Sequence, residues 1–134
     1  MPTGYAWMPT NIPPKCKLTK WQKQSLQAEA DKFVNEFYKP TIQPPPENPL
    51  GNYIVDFSTK WHGAYLQFIA RYDCPGPNAL YPFFLTAFAR LGYFSHDSWN
   101  IWARRYNDEW MIIDSRLTLP QCFEKMRTDA WFQL

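Results

Sequence analysis

The chain has 134 residues, 46% of them apolar and 19% aromatic, and its 14 Lys and Arg against 12 Asp and Glu leave a net charge of +2. That length suits one hydrophobic core rather than two, and the apolar share excludes a disordered chain. The nearly balanced charge excludes the strong electrostatic footprint of a dedicated duplex-DNA binder.

The first 17 residues carry Pro2, Pro9, Pro13 and Pro14 with Gly4, too proline-rich for helix and too short for a folded unit. They read as an arm that Tyr5, Trp7 and Met8 could anchor, and residues 18–134 read as a single domain. Thr19 followed by Gln22 fits a capping box, and Leu26, Ala30, Phe33 and Phe37 recur on one helical face until Pro40. This predicts a helix over about 20–38.

Pro44, Pro45, Pro46 and Pro49 make the next stretch a stiff extended spacer. Gly51-Asn52 then leads into a first strand, Tyr53 to Phe57, with Ser58-Thr59-Lys60 as its turn, and a second strand, Trp61 to Tyr72. Cys74-Pro75-Gly76-Pro77-Asn78 is a loop. Phe83 to Phe94 is a third strand, Trp99 to Tyr106 a fourth, and Trp110 to Asp114 a fifth after a turn at Asn107-Asp108. Thr118, Pro120 and Gln121 open a closing helix that runs to about Arg127 and buries Leu119, Phe123 and Met126. The expected fold is α+β: a helix, a mostly antiparallel five-stranded sheet, and a second helix.

Several of these motifs together resemble a family of small bacterial proteins defined only as a domain of unknown function, number three thousand and twenty-four. The resemblance covers about residues 26–134. It rests on the Cys74-to-Asn78 loop, Phe88-Ala89-Arg90-Leu91 with Tyr93, and Arg105 ahead of Trp110, then Leu117-Thr118-Leu119, Cys122, Asp129 and Phe132. The family pattern has a His directly after the strand-four Arg and a Glu directly before the strand-three Tyr, where this chain has Tyr106 and Gly92. Chemistry that used that pair would therefore lack both members here. The resemblance implies the element order and a bacterial cytosolic setting, and no activity.

Strand alternation puts residues two apart on one sheet face. Tyr65, Gln67 and Arg71 then share a face, as do Thr86, Phe88 and Arg90, and Asn100, Trp102, Arg104 and Tyr106. The opposite face, with Leu66, Phe68, Ala70, Leu85, Ala87, Ala89, Leu91, Ile101 and Ala103, reads as core beneath the helices. The expected binding residues are Arg71, Arg90, Trp102, Arg104 and Tyr106, as an aromatic and arginine-bearing wall. Such a wall suits an interface with a second copy or another protein, and the alternative is single-stranded nucleic acid, whose bases stack on rings.

An enzyme needs a nucleophile with its base, or a metal with several ligands. His62 and His96 lie far apart near strand ends, and Asp56, Asp73, Asp97 and Asp114 sit at strand ends or turns, where Asp is favoured for local hydrogen bonds. An Asp56–Asp114 carboxylate pair and a nucleophilic Cys74 or Cys122 are the catalytic options, each weaker than its structural reading. Five glycines without phosphate-loop spacing give no nucleotide cofactor site, so no cofactor and no metal are expected. The three cysteines, Cys16, Cys74 and Cys122, lack Cys-x-x-Cys spacing and read as free thiols. With no apolar run of membrane-spanning length, the expected location is cytoplasmic, away from membranes.

Overall fold

The computed structural model describes Pro14 and residues 17–47 and 51–134. Tyr5, Trp7, Met8, Cys16 and Pro49 therefore lie outside the described residues. Helix α1, Lys20–Phe33, starts where the spacing predicts. The Thr19 hydroxyl accepts the Gln22 amide, and the Gln22 side chain accepts the Thr19 amide at 2.8 Å, so two otherwise orphaned donors are satisfied. The helical path runs past the predicted stop: a wider π-type turn over Val34–Tyr38 leads into a 3-10 turn, Lys39–Thr41. Pro40 is tolerated because a proline in the first turn of a helical segment needs no amide donor.

Five strands follow as a meander, β1 Tyr53–His62, β2 Tyr65–Asp73, β3 Phe83–Ser95, β4 Ser98–Arg104 and β5 Trp110–Leu117, ordered β1-β2-β3-β4-β5 with every neighbouring pair antiparallel. The first turn is not at Ser58-Thr59-Lys60. The chain continues straight to His62 and turns at Gly63-Ala64, with Gly63 at φ +59. A two-residue hairpin needs a left-handed residue there, and glycine supplies it without strain. His96 and Asp97, both at positive φ, turn β3 into β4.

Helix α2, Leu119–Thr128, carries a second capping box from Thr118 and Gln121. The Asp97 carboxylate accepts both the Trp99 indole N–H at 2.8 Å and the Leu119 amide at 3.1 Å, which ties the β3–β4 turn to the start of α2. Both helices lie on one face of the sheet, where Phe33 of α1 stacks on Phe123 of α2 at 4.6 Å and meets Phe68 of β2 edge-on. Leu66, Phe68, Ala70, Ala89, Leu91, Ile101 and Ala103 are fully buried in this layer. On burial at about 25 cal/mol per Å², such apolar area is the main stabilising term of the fold.

One irregularity reassigns faces. The β2–β3 register slips between Phe68↔Ala89 and Ile69↔Ala87, leaving Phe88 as an extra residue. This bulge carries Phe88 into the core against Tyr38 and Phe57 and turns Leu85 and Ala87 outward, the reverse of simple alternation. A single inserted residue shifts everything on one side of it to the opposite face.

Candidate functional site

The face away from the helices was the expected binding wall, and the structure divides it into two regions. In the first, β3 and β4 pair Arg90 with Trp102, and β4 and β5 pair Arg104 with Trp110. The Arg90 guanidinium lies 4.0 Å from the centroid of the Tyr65 ring, 4.6 Å from Trp110 and 4.9 Å from Trp102. Three rings thus surround one cation, which favours the charge through their negative faces while stripping it of water. Burial pulls the Arg90 pKa below the usual guanidinium value, with the Tyr65 phenol opposing it.

Trp102 is fully buried. Tyr65 packs on it edge-on at 5.3 Å, and Pro14 closes the neighbouring space. A methyl group built on Gly92 would come within 2.6 Å of the Pro14 ring and 3.0 Å of the Trp102 indole. A side chain at position 92 would fit only if Pro14 or Trp102 moved. Trp102 therefore offers no surface to a partner.

Arg104 lies 5.6 Å from the Trp110 ring and 3.5 Å from the Asp108 carboxylate. Tyr106 falls outside β4, in the turn closed by the Asp108 amide donating to the Arg105 carbonyl, and stands 92% exposed. The expected strand ended two residues earlier because Asp108, at φ +64, forms the left-handed residue of a three-residue hairpin loop. Arg71 is in the second region. It pairs with Leu85, whereas Arg90 pairs with Gln67, so the two arginines are four residues, roughly 13 Å, apart along β2.

That second region is open. The Arg71 guanidinium lies 4.0 Å over the Phe83 ring and 3.9 Å from Asp73. Leu85, paired with Arg71, is 59% exposed and Phe83 about two-fifths, and the segment leading into β3 leaves Leu80 92% and Tyr81 72% exposed; Phe84 belongs to the other face, where it stacks on Tyr72 at 5.0 Å. Sequence reasoning named Arg71 but missed these neighbours. The run Leu80-Tyr81-Pro82-Phe83-Phe84-Leu85 was legible as apolar, but only the Phe88 bulge turns Leu85 outward beside Arg71.

The catalytic options do not assemble. Asp56 and Asp114 stand on β1 and β5, opposite edges of the sheet, four interstrand spacings or roughly 19 Å apart. Asp56 pairs instead with Lys39 at 3.7 Å and Asp114 with Lys125 at 3.6 Å. Cys122 is fully buried, and burial, with Asp97 and Asp114 nearby, pushes its thiol well above the ordinary value. A thiolate nucleophile needs the opposite shift. His62 and His96 are both exposed, one at the end of β1 and the other in the β3–β4 turn.

Among the described residues no helix is long and apolar enough to cross a membrane. Searches of the curated proteins and of the solved structures gave no match. A family model described as a domain of unknown function, DUF3024, matches residues 18–133, from the residue before the α1 capping threonine to the penultimate residue. With nearly the whole two-layer domain inside that match, the chain belongs to the DUF3024 family.

Proposed function

We propose that the protein is a small non-enzymatic interaction module that docks a protein through the open region of its outer sheet face. The observation that carries this is the exposed run of Leu80, Tyr81, Phe83 and Leu85, of which Phe83 and Leu85 flank Arg71. Apolar side chains this exposed and this close together are costly in water and mark contact surfaces. Aromatic residues and arginine are also the types enriched at protein interfaces. The caged cations Arg90 and Arg104 are engaged with the chain's own rings and carboxylate, which leaves them poorly placed to meet phosphates and disfavours the nucleic acid alternative. A bacterial, cytoplasmic setting belongs to the same reading, supported by the unbridged thiols of Cys74 and Cys122.

The test is a photo-crosslinking amino acid placed at position 80 in cells of the native host, with position 21 on the helical layer as the comparison. Position 80 is expected to give a discrete protein adduct and position 21 none. Adducts to nucleic acid in place of protein, or no adduct at position 80, would overturn the proposal.

A further inference from the structure

The two sides of β3 are not equally covered. Pairing with β2 extends from Phe83 to Gly92, but pairing with β4 begins only at Ala89↔Ala103. Among the described residues, Phe83 to Ala87 thus have a strand on one side and none on the other. That overhang, about 17 Å long at the usual rise per residue, presents unpaired backbone donors and acceptors along its free edge. Its sequence, Phe-Phe-Leu-Thr-Ala, contains no charge and no proline. Natural edges are usually blunted by lysine, proline or inward-pointing charge, and an apolar one without them is a template for another strand.

We infer that the strand it takes is its own counterpart: two copies of this chain join by antiparallel pairing of their Phe83–Ala87 overhangs, so that the two sheets share one hydrogen-bonded seam. This rests on the docking reading above and names its partner. Antiparallel pairing about a twofold axis makes each edge the complement of itself, so no second sequence is needed. Pro82 accepts a hydrogen bond from the Cys74 amide as the chain leaves the strand.

The area is also sufficient. With about 200 Å² available on each large side chain, the exposed fractions of Leu80, Tyr81, Phe83 and Leu85 amount to at most roughly 500 Å² per copy. Two copies offer about 1,000 Å², the size that a specific interface has to clear. The net charge of +2 adds little repulsion.

The experiment is sedimentation velocity on the full chain from about 1 to about 300 μM, with hydrogen exchange at both ends of that range. A monomer–dimer equilibrium is expected, with the Phe83–Ala87 amides slowing as the dimer forms. Leu85→Lys, a charge at the free edge, should weaken the dimer at least about tenfold while melting as the parent does. Should Leu85→Lys fail to fold, the exchange measurement on the parent chain decides alone. A dimer that forms with no added protection at Phe83–Ala87 would overturn the pairing. A chain that stays monomeric while position 80 crosslinks to a different protein would overturn the second copy and leave the docking reading standing. A monomer with no adduct would remove both.

Discussion

Arg90 shows how one residue can look like a binding group and serve as a fastener. Its side chain is legible in sequence as a cation on a strand beside aromatics, but the rings that enclose it come from three strands, Tyr65, Trp102 and Trp110. A planar guanidinium stacks on such rings where an ammonium cannot, so lysine is not a conservative replacement here. Cys122 is a second case in which burial decides. Its folded thiol titrates above the ordinary value of 9.0, chiefly through desolvation. Below that value both folded and unfolded thiols are protonated. As pH rises past it, the unfolded thiol ionises and the folded one does not, so stability is lost with rising pH. The loss attributable to this group is expected to approach about 1.4 kcal/mol per pH unit. Urea unfolding at about pH 8, 9 and 10 should show the parent losing stability faster than Cys122→Ala, and equal losses would contradict the assignment. Tyr38 and Tyr72, whose phenols burial also raises, contribute only above about pH 10 and leave the lower window to the thiol.

At the scale of elements, the helix starts were written in local chemistry and could be read directly. Thr19 with Gln22 and Thr118 with Gln121 form both reciprocal bonds of a capping box. Thr118→Ala is expected to cost about 1 kcal/mol in denaturant unfolding, since the Gln121 amide loses its acceptor; no measurable cost would mean that Asp97 alone holds the start of α2. The five strands and their antiparallel pairing were likewise legible, because turn residues and aromatic runs alternate along the chain. The faces of β3 were not. Nothing in Leu85-Thr86-Ala87-Phe88 announces a bulge, since the extra residue is set by Phe88 fitting between Tyr38 and Phe57, elements far away in sequence. The first hairpin was misplaced for a related reason: Ser58-Thr59-Lys60 has turn-like composition, but Thr59 points at α1, where it bonds Gln27 and Asp31.

At the scale of the whole molecule, the proposed function depends on which half of the outer face is open. Sequence pattern could not separate the halves, because both carry arginine among aromatics. Packing separates them: the Arg90 region is closed by its own rings and by Pro14, and the Arg71 region continues into an edge that has no neighbouring strand among the described residues. The two regions respond differently to substitution. Leu85→Lys changes the open wall without touching the cage, and Arg90→Lys weakens the cage at a folding cost of about 1 kcal/mol without touching the wall. The direct measurement is the photo-crosslink yield from position 80 in these two backgrounds. Loss of at least about nine-tenths of the adduct with Leu85→Lys, a drop equivalent to about 1.4 kcal/mol of binding, and an unchanged yield with Arg90→Lys are the predicted results. The reverse pattern would contradict docking through the open wall.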